Sequence, residues 1–214
     1  MNNLEKHVLE IIGENIDAPD VFLDTTEGLE PIRDSLNDAV QEICAITGSY
    51  VRTYHIPLAG QTFYRLKLAS GEFGWVTDAF LVNQGRRLEQ TDIIRLNHFD
   101  PCWLESTGSP ESYFQIGNRT VGFYRRPTDD DVVELSCVVI PKRYADSTER
   151  VYLRDTFKWA AVHYAVSEYW ASRGDAIEAR LEFDRYLTQL GLQNAYPKAA
   201  DRNYQLNTVK DEVR

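Results

Sequence analysis

The chain has 214 residues, 43% hydrophobic and 26% charged, an ordinary balance for one large or two small globular domains. Its formal net charge of −10 argues against a protein that grips nucleic acid by its phosphates, because such proteins need clustered Lys and Arg. The same charge suits plain solubility, or a surface past which DNA can slide.

No apolar run is long enough to span a bilayer, and the opening MNNLEKHVLE lacks the apolar region of a signal peptide. The expected location is therefore the cytoplasm or a particle assembled there, with no membrane partner. Cys44, Cys102 and Cys137 are far apart and outside any CxxC spacing, so they read as reduced thiols.

In chain order, residues 4–13 form a short amphipathic helix with Leu4, Val8, Ile11 and Ile12 on one side. An acidic, irregular connection follows. Pro31 then suits a first helical position, Ile32, Leu36, Ala39, Val40 and Ile43 repeat at helical spacing, and Gly48 supplies the stop. The natural cover for this stripe is a second long helix near residues 151–172.

Between the two helices the period falls to two. Strand character occurs at residues 50–56, 62–68, 75–82, 92–96, 112–116, 120–124 and 132–140, the last closing at Pro141. Gly117-Asn118 reads as a two-residue hairpin turn. Residues 101–105 read as one helical turn. The segment 49–141 is thus an antiparallel β module, a sandwich or open barrel of roughly six or seven strands.

From Val151 to Leu190 two helices are broken once, at Gly174. Leu153, Phe157, Ala160, Ala161 and Tyr164 make one stripe, and Trp159, Val162, Val166, Tyr169 and Trp170 make another beside it. A helix apolar on more than half its circumference has to be covered on two sides, and a neighbouring copy of the chain supplies a second cover. The second stripe is therefore the candidate subunit interface. Arg173-Gly174-Asp175 spells an integrin-type tripeptide, but Gly174 suits a left-handed helix end and Asp175 the next N-cap. Ala176, Ala179, Phe183, Leu187 and Leu190 form the apolar face of the following helix.

Beyond Gly191 the chain is polar, with isolated Tyr196, Tyr204, Leu206 and Val209 and one Pro197. An extended segment that orders on another protein's surface has this composition, as does a frayed terminus. The fold class is α+β: a discontinuous antiparallel helical bundle (1–48 plus 142–191), an inserted β domain (49–141) and an extended C-terminal tail (192–214).

Catalytic machinery is not evident. His7, His55, His98 and His163 fall in no HExxH frame, and His163 reads as a packed helix residue. His98, Asp100 and Cys102 place a base near a thiol, which keeps a small-molecule enzyme as the least favoured alternative. Asp129-Asp130-Asp131 lacks the glycine and distal glutamate of an EF-hand and reads as a solvated turn. There is no P-loop and no GxGxxG. The pairs Arg86-Arg87, Arg125-Arg126 and Lys142-Arg143 sit near acidic neighbours. No catalytic residue, metal ligand or cofactor is assigned.

The layout as a whole carries a resemblance. The helix Leu36-Asn37-Asp38-Ala39-Val40-Gln41-Glu42-Ile43 precedes a β insertion containing Trp103, Gly108, Pro110, Tyr113-Phe114, a hairpin and Pro127. A strand ending at Pro141 and a helix pair with Tyr164-Ala165-Val166 and Tyr169-Trp170 follow. Over residues 28–190 this resembles the head-to-tail adaptor (connector) proteins of tailed bacteriophages, especially the short-tailed, podovirus-like ones. The resemblance implies a structural virion protein at the head-tail junction rather than an enzyme. It implies a homo-oligomeric ring, commonly twelvefold, beneath the portal protein, with tail or nozzle proteins docked below. Genomic DNA would pass through the channel without specific binding. The family's C-terminal segment reaches the portal, which assigns Tyr196, Pro197, Tyr204, Leu206 and Val209 as portal contacts. The alternative within the virion is another tail or baseplate component.

Overall fold

The computed structural model describes residues 3–13, 26–66, 71–117, 119–128, 130–145, 149 and 151–192. The backbone divides into two compact units. One holds residues 1–39, 145–149 and 155–214, the other residues 40–144 and 150–154. The division falls inside a helix, after Ala39. The architecture is α+β, as the sequence indicates, with five α-helices and two sheets among the described residues.

The helical unit contains α1 (Asn3–Ile12), the first part of α2 (Thr26–Thr47), α4 (Lys158–Ser172) and α5 (Ala176–Gln189). α1 forms as its stripe requires, but the buried face is Leu4, Glu5, Val8 and Leu9, while Ile11 stays exposed. α2 begins five residues before Pro31, so the proline lies inside the helix and not at its first position. Near a helix start this costs little, since only the Glu27 carbonyl loses its helical donor. The sequence pairs α2 with α4. The backbones that approach α4 most closely are instead those of α5 and α1.

Two local signals act as read. Gly174 has φ +81°, and the Asp175 carboxylate accepts the Glu178 amide at 3.1 Å, so the tripeptide at 173–175 is a helix end followed by a helix cap. Gly48, at φ +60°, closes α2 with its amide on the Cys44 carbonyl at 3.0 Å.

In the β unit, one sheet has the order β1-β8-β3-β4 and the other β2-β7-β6-β5. The strands are β1 (Val51–Pro57), β2 (Phe63–Arg65), β3 (Gly71–Leu81), β4 (Arg86–Arg87), β5 (Glu89–Gln90), β6 (Ser112–Ile116), β7 (Thr120–Tyr124) and β8 (Val132–Pro141). All pairings are antiparallel except β5 with β6. Phe73, Val76, Ala79 and Leu81 of β3, with Val133, Leu135 and Cys137 of β8, meet Tyr64, Tyr113, Val121 and Phe123 of the second sheet in one core. The module is therefore a sandwich.

Alternation sends Phe114 and Tyr124 to the opposite face of the second sheet, where they bury with Leu96 and Trp103. Leu96 belongs to α3 (Ile93–Phe99), capped by the Asp92 side chain on the Arg95 amide at 2.8 Å. Residues 92–96 were expected as a strand. The Asp92 N-cap and the need to cover Phe114 and Tyr124 make them a helix instead. Residues 101–105 follow as hydrogen-bonded turns. The β6–β7 hairpin pairs Ile116 with Thr120, so three residues connect the strands rather than two, with Gly117 at φ +57°.

β3 carries irregularities between Phe73 and Trp75 and between Val76 and Asp78. The Gln115 side chain from the other sheet serves the disrupted backbone. Its oxygen accepts the Val76 amide at 3.1 Å, and its nitrogen donates to the Gly74 carbonyl at 3.0 Å. Asp131 is 5% exposed and accepts the Asn83 and Val132 amides, which corrects its reading as part of a solvated turn.

Gly122 pairs with Phe114 across the hairpin, and a Cβ there would sit 2.3 Å from the ring. Gly122→Ala is expected to destabilise the fold by about 1–3 kcal/mol through overpacking, measured by urea titration.

Candidate functional site

The candidate subunit-interface residues divide sharply on α4. Val162 and Val166 are fully buried in the chain's own core, together with Ala160, Ala161 and Ala165. In this arrangement they offer a neighbour nothing to touch, because the chain itself buries them. Trp159 is 48% exposed, and Tyr169 and Trp170 are half-buried. The Trp159 ring lies 5.0 Å from that of His7 and 6.2 Å from that of His163. Tyr169 and Trp170 meet edge to face at 5.3 Å, and the Arg173 guanidinium sits over the Tyr169 ring at 4.7 Å.

Sequence reasoning passed over two residues of the neighbouring helix. Ile177 is 74% exposed and Leu181 is 48% exposed, four apart on the outer face of α5. The signal was present: two aliphatics at helical spacing interrupt an otherwise charged face. Single exposed apolar residues are ordinary, but this pair forms a stripe.

Behind this surface α4 and α5 are pinned by a buried polar pair. His163 Nδ1 lies 2.7 Å from a carboxylate oxygen of Glu182, whose other oxygen accepts from Arg185. Glu182 is 3% exposed, so it needs these partners. His163 is thus a packed residue, with a role in positioning α5 on α4. A second buried acid, the fully enclosed Glu5, takes the Arg33 guanidinium at 2.9 Å, joining α1 to α2.

The candidate portal-contact residues Tyr196, Pro197, Tyr204, Leu206 and Val209 lie outside the described residues.

In the β unit the stretch His98–Cys102 does not assemble into a nucleophile with a base and an orienting acid. Both oxygens of Asp100 are engaged: one accepts the Cys102 amide at 3.1 Å, the other the Ser106 hydroxyl at 2.7 Å and the Tyr124 hydroxyl at 3.3 Å. The Ser106 hydrogen bond is the main cause that holds the Asp100 carboxyl below the usual range. Asp100 therefore braces its own loop. His98 borders a surface concavity of about 740 Å³ between α3 and the β5–β6 edge, which Ile94, Phe99, Glu89, Glu111 and Tyr124 also line. Cys102 is not in that lining.

All three cysteines are free. Burial raises the Cys44 thiol and pushes that of Cys137 up to about 12, so neither is a nucleophile at neutral pH. Among the described residues no group of three or more His, Cys, Asp or Glu could hold a metal ion, and no helix is long and apolar enough to cross a membrane.

Glu182→Ala should lower stability by about 1–3 kcal/mol, read as a drop in Tm. It leaves His163 without its buried acceptor.

The helix pair α4–α5 thus carries exposed apolar side chains at Trp159, Ile177 and Leu181. No curated protein matches the chain. A family model described as SU10 adaptor protein matches residues 7–209, nearly the full length. The chain belongs to the SU10 adaptor protein family, structural adaptors of the bacteriophage virion.

Proposed function

We propose that this adaptor works at the head-to-tail junction, as a homo-oligomeric ring between the portal protein and the tail or nozzle proteins. The family match over residues 7–209 carries the reading. The helical segments 1–48 and 142–191 form the ring body, commonly of twelve copies in head-to-tail adaptors. The β domain 49–141 faces the tail or a neighbouring subunit, and residues 192–214 reach the portal through Tyr196, Pro197, Tyr204, Leu206 and Val209.

Ring contacts fall to the exposed part of the candidate interface. Trp159, Tyr169 and Trp170 keep surface that Val162 and Val166 do not, and Ile177 and Leu181 extend it along α5. The excess of acid over base, 33 to 23 residues, favours a channel to which DNA does not adhere. The genome then passes during ejection without specific binding.

Two variants test the reading. Ile177→Glu with Leu181→Glu should leave the melting temperature nearly unchanged, because both side chains are exposed, yet abolish ring assembly on the portal. Removal of residues 193–214 should abolish portal pull-down while leaving the fold intact. A full chain that the portal fails to pull down would favour a tail or baseplate component without a portal contact, whereas pull-down that survives the truncation would move the contact away from residues 193–214. A Cys102→Ala variant that assembles normally but loses a small-molecule turnover would favour the enzyme alternative.

A further inference from the structure

We propose that β1 is a docking edge, which accepts an extended, carboxylate-bearing segment of another virion protein as an added strand. This rests on the virion-adaptor reading above.

The register decides which backbone groups of β1 are spent. β1 pairs only with β8, at Val51↔Val138 through Pro57↔Val132. Val139 donates to the Tyr50 carbonyl at 2.9 Å, and Leu58 donates to the Asp131 carbonyl at 2.8 Å, in the same register. In an antiparallel ladder hydrogen-bonded pairs alternate with non-bonded ones. Residues 50, 52, 54, 56 and 58 therefore turn their backbone groups toward β8. Val51, Thr53 and His55 turn both N–H and C=O outward, and Pro57 adds a carbonyl alone. Among the described residues nothing pairs with this outer edge.

The other sheet edges are short. β4 and β5 have two residues each and β2 has three, against seven for β1. β1 also lacks the usual protections of an edge, having no bulge, no lysine and no proline before its last residue. Five of its residues, Val51, Arg52, Thr53, His55 and Pro57, are exposed. A straight unprotected edge of this length suits strand addition, in which main-chain hydrogen bonds supply affinity.

Charge indicates the occupant. His55 is already matched by Glu134 on β8, at 3.2 Å. Arg52 is held over the Tyr50 and Tyr152 rings at 5.1 and 5.8 Å and donates to the Tyr50 hydroxyl at 2.8 Å, and among the described residues no carboxylate pairs with it. A second copy pairing through its own β1 brings none, since Val51–Pro57 contains no acid. An incoming strand with an Asp or Glu beside Arg52 completes the pair.

Hydrogen exchange on purified tailed particles tests this against the free chain. In the particle the amides of Val51, Thr53 and His55 should exchange at least about tenfold more slowly. Thr53→Pro removes one outward donor and leaves the β8 ladder intact. Portals carrying this variant should mount the adaptor yet fail to gain tails, while Thr53→Val behaves as the unsubstituted chain. Equal exchange in particle and free chain, or normal tail attachment with Thr53→Pro, would overturn the proposal. So would protection already present in the free chain that disappears on removing residues 193–214, since the occupant would then be this chain's own segment. A chain absent from the particles would sink the adaptor reading and this proposal together, whereas a chain present with β1 unprotected sinks this one alone.

Discussion

Small side chains along the middle of α4 let two other helices approach it closely. Ala160, Ala161 and Ala165 alternate with Val162 and Val166, and all five are buried. Residues of this size let α5 and α1 press against α4, and those helices bury Tyr186 and Leu187, and Val8 and Leu9. The bulky rings are thereby excluded from the centre. Trp159 sits at one end of α4, Tyr169 and Trp170 at the other, and all three keep exposed area. Tight packing inside the subunit and apolar surface outside it are two results of one residue distribution.

A comparable constraint organises the β unit. The sheet β2-β7-β6-β5 is apolar on both faces, so it needs two covers. The other sheet supplies one, and α3 with the turns after it supplies the second through Leu96 and Trp103. Gln115 then ties the irregular part of β3 to β6, satisfying backbone groups that the ladder misses. These demands fall on β3, β6, β7 and β8. Among the described residues β1 is held by β8 alone, and its outer edge takes no part in these demands.

Much of this was legible in the residues because local signals and tertiary needs agree. Gly48, Gly174 and Asp175 act as helix ends in sequence and in structure, and the alternation of residues 112–116 and 132–140 survives as β6 and β8. Failures occur where a tertiary demand outweighs a local preference. Ile93 and Ile94 are β-branched, yet the Asp92 cap and the uncovered Phe114 and Tyr124 make their segment helical. Val162 and Val166 share a stripe with Trp159, and periodicity alone cannot tell which part of a stripe its own chain will cover. Ile177 and Leu181 are readable as aliphatics on a charged face, but single exposed aliphatics are common enough that spacing alone does not mark them. Glu182 looked like any surface acid, because its burial depends on His163, nineteen residues away.

The adaptor role and the architecture fit through these surfaces. The helix pair joined by the Glu182–His163 hydrogen bond carries Ile177, Leu181 and Trp159 on its surface, where the proposed ring contacts fall. In the proposed ring, the net charge of −10 suits a channel to which DNA does not adhere. The most direct test is the mass of the complex formed when the purified chain is added to assembled portal, measured by mass photometry. The account predicts one discrete species with a full ring of adaptor copies on each portal. A portal whose mass does not change, or that gains a single copy, would contradict it.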